Sequence, residues 1–268
     1  MMYMEDLILQ NRETNETNKS YKSCFVIAHK YNRNYMSFIK FYVNNIQTHY
    51  ENALILIVDN NSKYFQDIRE RLGHYRNIVF LTNDSECKFE LGAYKTGIEY
   101  LVNMGIISNY DFFIFTQDTF ILKRKYDFNQ LFENKTTACA INSWINGKYD
   151  EYYHYPICQQ VLKSLHLENS IDKLSLCWCC SFVLHTSKVL DFFDTVKEIV
   201  ITTKHESQQS ERFLSAILYR LNNDRIHDID GCIHNMAYNC WTIDLFTEET
   251  NFHFVKRIQQ KTENTPDL

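Results

Sequence analysis

The sequence predicts an α/β domain, a mixed and mostly parallel sheet flanked by helices. Three observations carry that expectation. Short apolar runs of strand length alternate with segments whose apolar residues recur at helical spacing. Some of the runs are apolar throughout, as strands covered on both faces of a parallel sheet are. Only 6 glycines and 2 prolines occur in 268 residues, which disfavours an all-β sandwich with many tight turns. A hydrophobic fraction of 45% and an aromatic fraction of 15% supply a sizeable core. We therefore expect one domain over residues 21–268, preceded by a flexible polar arm at residues 1–20.

Taken in order, Ser23 to Ala28 is the first strand, ending at His29-Lys30-Tyr31-Asn32. Tyr35 to Tyr50 is a helix, with Tyr35, Phe38, Ile39, Tyr42, Val43 and Ile46 on one face. Ala53 to Val58 is a buried strand that stops at Asp59-Asn60-Asn61-Ser62, residues that turn a chain and cap a following helix. Tyr64 to Leu72 is that helix, closed by Gly73. Asn77 to Leu81 is the third strand, and Phe89 to Met104 the third helix. The fourth strand follows Tyr110 and runs into Gln117-Asp118. This β-α-β-α-β-α-β order implies a parallel sheet wound by right-handed crossovers. Beyond it, Ala138 to Trp144 and Leu174 to His185 read as strands, and Asp191 to Thr202 and Ser210 to Leu221 as helices. Asn251 to Gln260 is an alternating segment near the end.

A net charge of -5 and an isoelectric point near 6.1 exclude an extended nucleic-acid footprint, which needs a basic face. No apolar run reaches the roughly 18 residues of a membrane span, and no charged-then-apolar leader is seen. The 9 cysteines, odd in number and unevenly spaced, read as reduced buried thiols of a cytoplasmic protein. Cys177, Cys179 and Cys180 sit in one apolar run; neighbours on a strand face opposite ways, so they cannot all hold one zinc ion.

Three strand ends carry polar groups: His29 to Asn32, Asp59-Asn60 and Gln117-Asp118. In a parallel sheet these share the carboxyl edge, where open α/β sheets bind ligands. Asp118 interrupts an otherwise apolar stretch, and a desolvated carboxylate is costly unless a cation or a ligand hydroxyl meets it. A turn or a helix cap is the plainer use of such an Asp. Asp59 can likewise cap a helix, or accept from a base N–H or a ribose hydroxyl. Neither a Gly-x-Gly-x-x-Gly nor a phosphate-loop motif is present, so no glycine-rich backbone cradles a phosphate. A diphosphate would then need a divalent cation, and Mn²⁺ and Mg²⁺ prefer oxygen donors such as Asp118. Trp144 and Trp178 lie near strand ends, as core residues or as faces for a sugar ring.

Val58-Asp59-Asn60-Asn61-Ser62, Glu90-Leu91-Gly92-Ala93-Tyr94-Lys95-Thr96-Gly97 and Phe115-Thr116-Gln117-Asp118 follow one another in an order and spacing that resemble a GT-A glycosyltransferase. The resemblance is to the family-2-like kind, Rossmann-like in its sheet, over residues 22–260. It implies a sugar moved from a UDP- or GDP-linked donor to a glycan or other hydroxyl acceptor. It implies that Asp59 reads the base, with Ala28, His29, Asn32, Asn60, Lys95, Gln117 and Lys256 around the nucleotide. Asp118 and His253 would hold Mn²⁺ or Mg²⁺. Glu211, at an expected helix start, would be the base of an inverting displacement, with Glu206 its nearest substitute; a helix-dipole partner is the other use of such a Glu. A retaining mechanism stays open. Trp144 and Trp178 would meet the acceptor. The chain departs from the pattern at Thr116, where the family's Asp-x-Asp element has its first acid. That departure supports an alternative, a degenerate GT-A protein that binds nucleotide sugar or glycan without turnover. A Lys-, Asn-, Ile- and Tyr-rich composition fits an AT-rich genome, such as a large DNA virus or an AT-rich bacterium.

Overall fold

The computed structural model describes residues 22–30, 36–62, 65–128, 130–131, 135–141, 143–145, 151–224, 237–240 and 254–257. The first half alternates as its hydrophobic pattern predicts. Strand β1 (Ser23–His29) leads to helix α1 (Met36–His49), β2 (Leu54–Asp59) to α2 (Phe65–Leu72), and β3 (Ile78–Thr82) to α3 (Phe89–Asn103). Strand β4 (Phe112–Gln117) and the short β5 (Phe120–Leu122) follow. The second half holds β6 (Ala138–Ala140), β7 (Ser143–Ile145), α4 (Pro156–Ser164), β8 (Ser175–Cys177), β9 (Phe182–His185), α5 (Thr186–Val196), α6 (Lys204–Leu221), β10 (Ala237–Cys240) and β11 (Phe254–Arg257).

Six strands form one sheet in the order β3-β2-β1-β4-β9-β6. The first four are parallel, and β9 runs antiparallel between β4 and β6. The mixed, mostly parallel sheet with flanking helices is the one expected. Alternation along each strand divides the core in two. Cys24, Val26, Ala28, Leu56, Phe113 and Phe115 join Tyr94 of α3 and Phe213 of α6 on one face. Phe25, Ile27, Ile55, Ile57 and Ile114 join Tyr42 of α1 and Ile68 of α2 on the other. Helix α3 lies close against the sheet because Gly97 is small: a Cβ there would stand 2.7 Å from Val26 Cγ1.

Several second-half boundaries differ from expectation. The segments Ala138–Trp144 and Leu174–His185 each break in two, and β7 pairs with β8 in a separate antiparallel pair. The break in the second is a 3₁₀ turn, Trp178–Cys180, with Cys179 at φ 59° and Cys180 at φ 52°. Left-handed backbone is unusual in residues other than glycine, and no glycine or proline announces it. The three cysteines are therefore not neighbours on one strand. Helix α5 starts at Thr186, where the His185 side chain accepts the Ser187 N–H at 3.2 Å. It stops before Ile199-Val200-Ile201-Thr202-Thr203, a β-branched run unfavourable to helix. Helix α6 opens at Lys204 and not near Ser210, because Thr203 and Glu206 form a capping box. Helix α4, with proline in its first turn, was not foreseen. Among the described residues seven cysteines are buried and outside any disulfide, and no helix is long and apolar enough to cross a membrane.

Candidate active site

Strand β1 sits between β2 and β4, with His29 in register with Asp59 on one side and Ala28 with Gln117 on the other. The winding of the sheet reverses between β1 and β4, and such a switch point leaves a crevice beyond the carboxyl ends. Its floor is a buried row of three ionisable side chains. His29 Nδ1 lies 2.6 Å from Asp118 Oδ2, and His29 Nε2 lies 3.9 Å from Asp59 Oδ1. His29 is 3% exposed and Asp59 is 0% exposed. The other Asp59 oxygen accepts the Ser62 N–H, shaping the turn after β2. Among the described residues, His29 Nε2 and Asp59 Oδ1 have no hydrogen-bond partner, an arrangement that is costly unless a ligand completes it.

The pleat sends the other two residues of the Thr116-Gln117-Asp118 element to opposite faces. Thr116 is fully buried, its hydroxyl 2.9 Å from Tyr42 Oη of α1. Gln117 faces α3, where its Nε2 donates to Glu90 Oε1 at 2.7 Å and to the Cys179 carbonyl at 3.0 Å. The Cys179 N–H in turn donates to Glu211 Oε1 at 2.8 Å. One left-handed residue thus joins the end of β4 to Glu211 on α6. Arg212 Nη1 donates to Glu211 Oε2 at 2.8 Å, and Ser207 Oγ to Glu90 Oε2 at 3.2 Å. Burial first, and then the nearby Glu90 and Glu211 carboxylates, hold the Cys180 thiol well above its ordinary range. It is a neutral thiol and no nucleophile.

The expected site residues divide into three groups. Ala28, His29, Asp59, Asn60, Gln117 and Asp118 stand together along the carboxyl edge. The Ala28 carbonyl accepts the Asp118 N–H at 3.0 Å, and Asn60 Oδ1 accepts from buried Asn83 Nδ2 at 2.9 Å. Glu211 joins them through Cys179, about two turns inside α6 and so outside the reach of the helix dipole. Trp178 is half-buried in the turn beside Cys179 and packs on the α1-side core. Lys95 and Glu206 go elsewhere. The Lys95 ammonium donates to the Lys197 and Ile199 carbonyls at 2.6 and 3.0 Å, tying α3 to the segment after α5. Glu206 accepts the Thr202 and Thr203 N–H groups as the capping-box acid. Asn32 and His253 lie outside the described residues, as do the side chains of Trp144 and Lys256. The backbone of Trp144 pairs with Leu176, and that of Lys256 with Phe120, two residues from Asp118.

Glu90 and Asn83 were not singled out from the sequence. Both follow β3 on the same edge, Asn83 just past the strand end and Glu90 in the first turn of α3. Asn83 organises that corner by bonding Asn60, Cys87, Ser85 and Thr96. A Cβ on Gly92 would lie 2.0 Å from the Cys87 carbonyl and 2.5 Å from Asn83 Nδ2, so the corner requires glycine.

Of the two residues that the resemblance assigns to a divalent cation, only Asp118 is among the described donors. Among them, no group of three or more His, Cys, Asp and Glu could hold a metal ion. Asp118 Oδ2 already accepts from His29 and, at 3.1 Å, from the Lys30 N–H. Thr116 and Gln117 are bonded away from it.

No protein-family model matches the chain, and no curated protein sequence does. Among solved structures it is similar to the bifunctional glycosyltransferase WbbM in its apo form, at 13% identity and a TM-score of 0.39. That match covers 76% of this chain but only 40% of the WbbM chain. It is similar to core-mannan synthase A (CmsA/Ktr4) from Aspergillus fumigatus in a Mn/GDP form, at 7% identity, TM-score 0.40, over 78% and 72% of the two chains. The mannosyltransferase Ktr4p from S. cerevisiae gives 8% identity and a TM-score of 0.44 over 80% and 75%.

Proposed function

We propose that the protein is a glycosyltransferase of GT-A type, moving a sugar from a UDP- or GDP-linked donor to a glycan or other hydroxyl acceptor. The carrying observation is the convergence at the β1/β4 switch point. Asp59, His29 and Asp118 line its floor, and Glu211 is held to the same edge through Cys179. In this reading Asp59 Oδ1, which has no hydrogen-bond partner among the described residues, accepts from the base or the ribose. The acceptor hydroxyl oxygen bonds to the anomeric carbon, the bond from that carbon to the diphosphate breaks, and the hydroxyl proton passes to Glu211. The nucleoside diphosphate leaves with the bonding electrons. Gln117, Cys179 and Arg212 fix where the Glu211 carboxylate stands.

The test is nucleoside diphosphate release from a panel of UDP- and GDP-sugars. Glu211→Gln, similar in shape, should lower kcat by roughly 10²-fold or more while donor binding persists. Equal kcat in the variant would remove Glu211 from the chemistry. A second reading, a GT-A protein that binds donor or glycan without turnover, is favoured by Thr116, whose hydroxyl is committed to Tyr42. Donor binding with no release over the whole panel would select it.

A further inference from the structure

We propose that Glu90 is a positioning residue of this reaction, holding Gln117 and helix α6 so that the Glu211 carboxylate stands where the acceptor hydroxyl reaches it. This rests on the glycosyltransferase reading above. Glu90 lies in the first turn of α3, and both of its oxygens are engaged. Oε1 accepts from Gln117 Nε2 at 2.7 Å, and Oε2 from Ser207 Oγ at 3.2 Å. Ser207 precedes Glu211 by one turn of α6, on the same face. One carboxylate therefore meets the base from two sides, through the helix that carries it and through the turn that bonds it.

The path through the turn begins at Gln117. A carboxylate and a backbone carbonyl only accept, so the Gln117 amide turns its NH₂ group toward Glu90 and Cys179. Without the Glu90 carboxylate the amide is at liberty to rotate by half a turn, which sets its oxygen against the Cys179 carbonyl and breaks that bond. Cys179 has left-handed backbone at φ 59°. Such backbone is disfavoured for a residue with a Cβ and persists only where its surroundings over-determine it. Gln117 holds the Cys179 carbonyl and Glu211 its N–H, so a turn released at one end shifts at the other. The Cys180 thiol, raised first by its burial and then by Glu90 and Glu211, marks both carboxylates as neighbours of this turn. The mount is stiff, because α3 lies close on the sheet at Gly97. The plainer use of an acid in a first helical turn is as partner of the helix dipole, a role that needs the charge but neither contact.

The test compares substitutions of Glu90 by the kinetics of nucleoside diphosphate release from UDP- and GDP-sugars. Glu90→Asp keeps the charge but falls short of both partners by one methylene. Glu90→Gln keeps the reach, since its carbonyl accepts from Gln117 and its NH₂ meets the Ser207 hydroxyl oxygen. Glu90→Ala removes both. We expect Glu90→Ala and Glu90→Asp to lower kcat by roughly 10- to 100-fold, with kcat/KM for the donor falling in parallel. Glu90→Gln should restore most of the rate. A dipole partner gives the reverse order, Glu90→Asp active and Glu90→Gln impaired, and that result would overturn the proposal. With Glu211→Gln already in place, adding Glu90→Ala should cost no more than about twofold further, because Glu90 acts through the base. Effects that simply multiply would also overturn it. Hydrogen exchange at the Cys179 N–H, read by NMR on the full chain, needs no turnover. It should quicken in Glu90→Ala and Glu90→Asp and stay near its natural rate in Glu90→Gln. Unchanged exchange in all of them would defeat the proposal and leave the reaction reading standing. If the natural protein itself releases no nucleoside diphosphate from any donor, the reaction reading falls and the proposal falls with it.

Discussion

His29 and Asp118 are 89 positions apart in the chain and in contact in the fold. Each was visible as a polar residue at a strand end, but the bond between them was not, because a strand pattern gives the face of a side chain and not the direction of its tip. Lys95 shows the same limit from the other side. Its place on α3 fits a phosphate contact, yet its ammonium reaches the Lys197 and Ile199 carbonyls. Hydrogen bonds from a charged group each contribute about 1.5–3 kcal/mol. Lys95→Met should therefore lower the free energy of unfolding by an amount of that order, read from urea denaturation, while any shift induced by UDP or GDP stays as in the natural protein. Loss of the nucleotide shift at unchanged stability would return Lys95 to the ligand.

At the scale of elements, the first half was legible almost to the residue, because each strand is a dense apolar run and each helix an apolar stripe. The second half was legible as strands and helices but not in its breaks. The Trp178–Cys180 turn uses left-handed backbone at cysteines, where no sequence signal exists. The start of α6 did have a signal, Thr203-Lys204-His205-Glu206, a capping box that the more apolar segment beyond Ser210 outweighed. Backbone N–H groups of Thr202 and Thr203 hold the Glu206 carboxyl below its ordinary range. Its folded-state pKa is depressed, so its contribution is present above the ordinary glutamate value near 4.5 and fades as the pH falls through the lowered one. Glu206→Gln should reduce the urea midpoint at pH 7, and the difference should shrink as the pH falls below the ordinary glutamate value and through the lowered one. A difference unchanged over that range would show that the carboxylate charge has no part in the cap.

For the molecule as a whole, the closing feature is the return of the chain to its own middle. Strand β11 pairs with β5, and Phe254 is buried edge-on against Phe120 at 6.4 Å. Emptying such a site costs about 3–5 kcal/mol. Phe254→Ala should lower the melting temperature of the entire domain in one transition. A separate early transition, with the main one unmoved, would mean that β11 adds nothing to the stability of the sheet. Asn251–Gln260 was legible only as an alternating segment, and the register reveals that β11 runs beside the residues following Asp118. The Cys179 contacts carry a different consequence. Its carbonyl receives Gln117 and its N–H serves Glu211, so the interval between the two halves of the site is measured by the covalent frame of a single residue. Substitution can change what stands at either end of that ruler, but the ruler itself has no side chain to mutate.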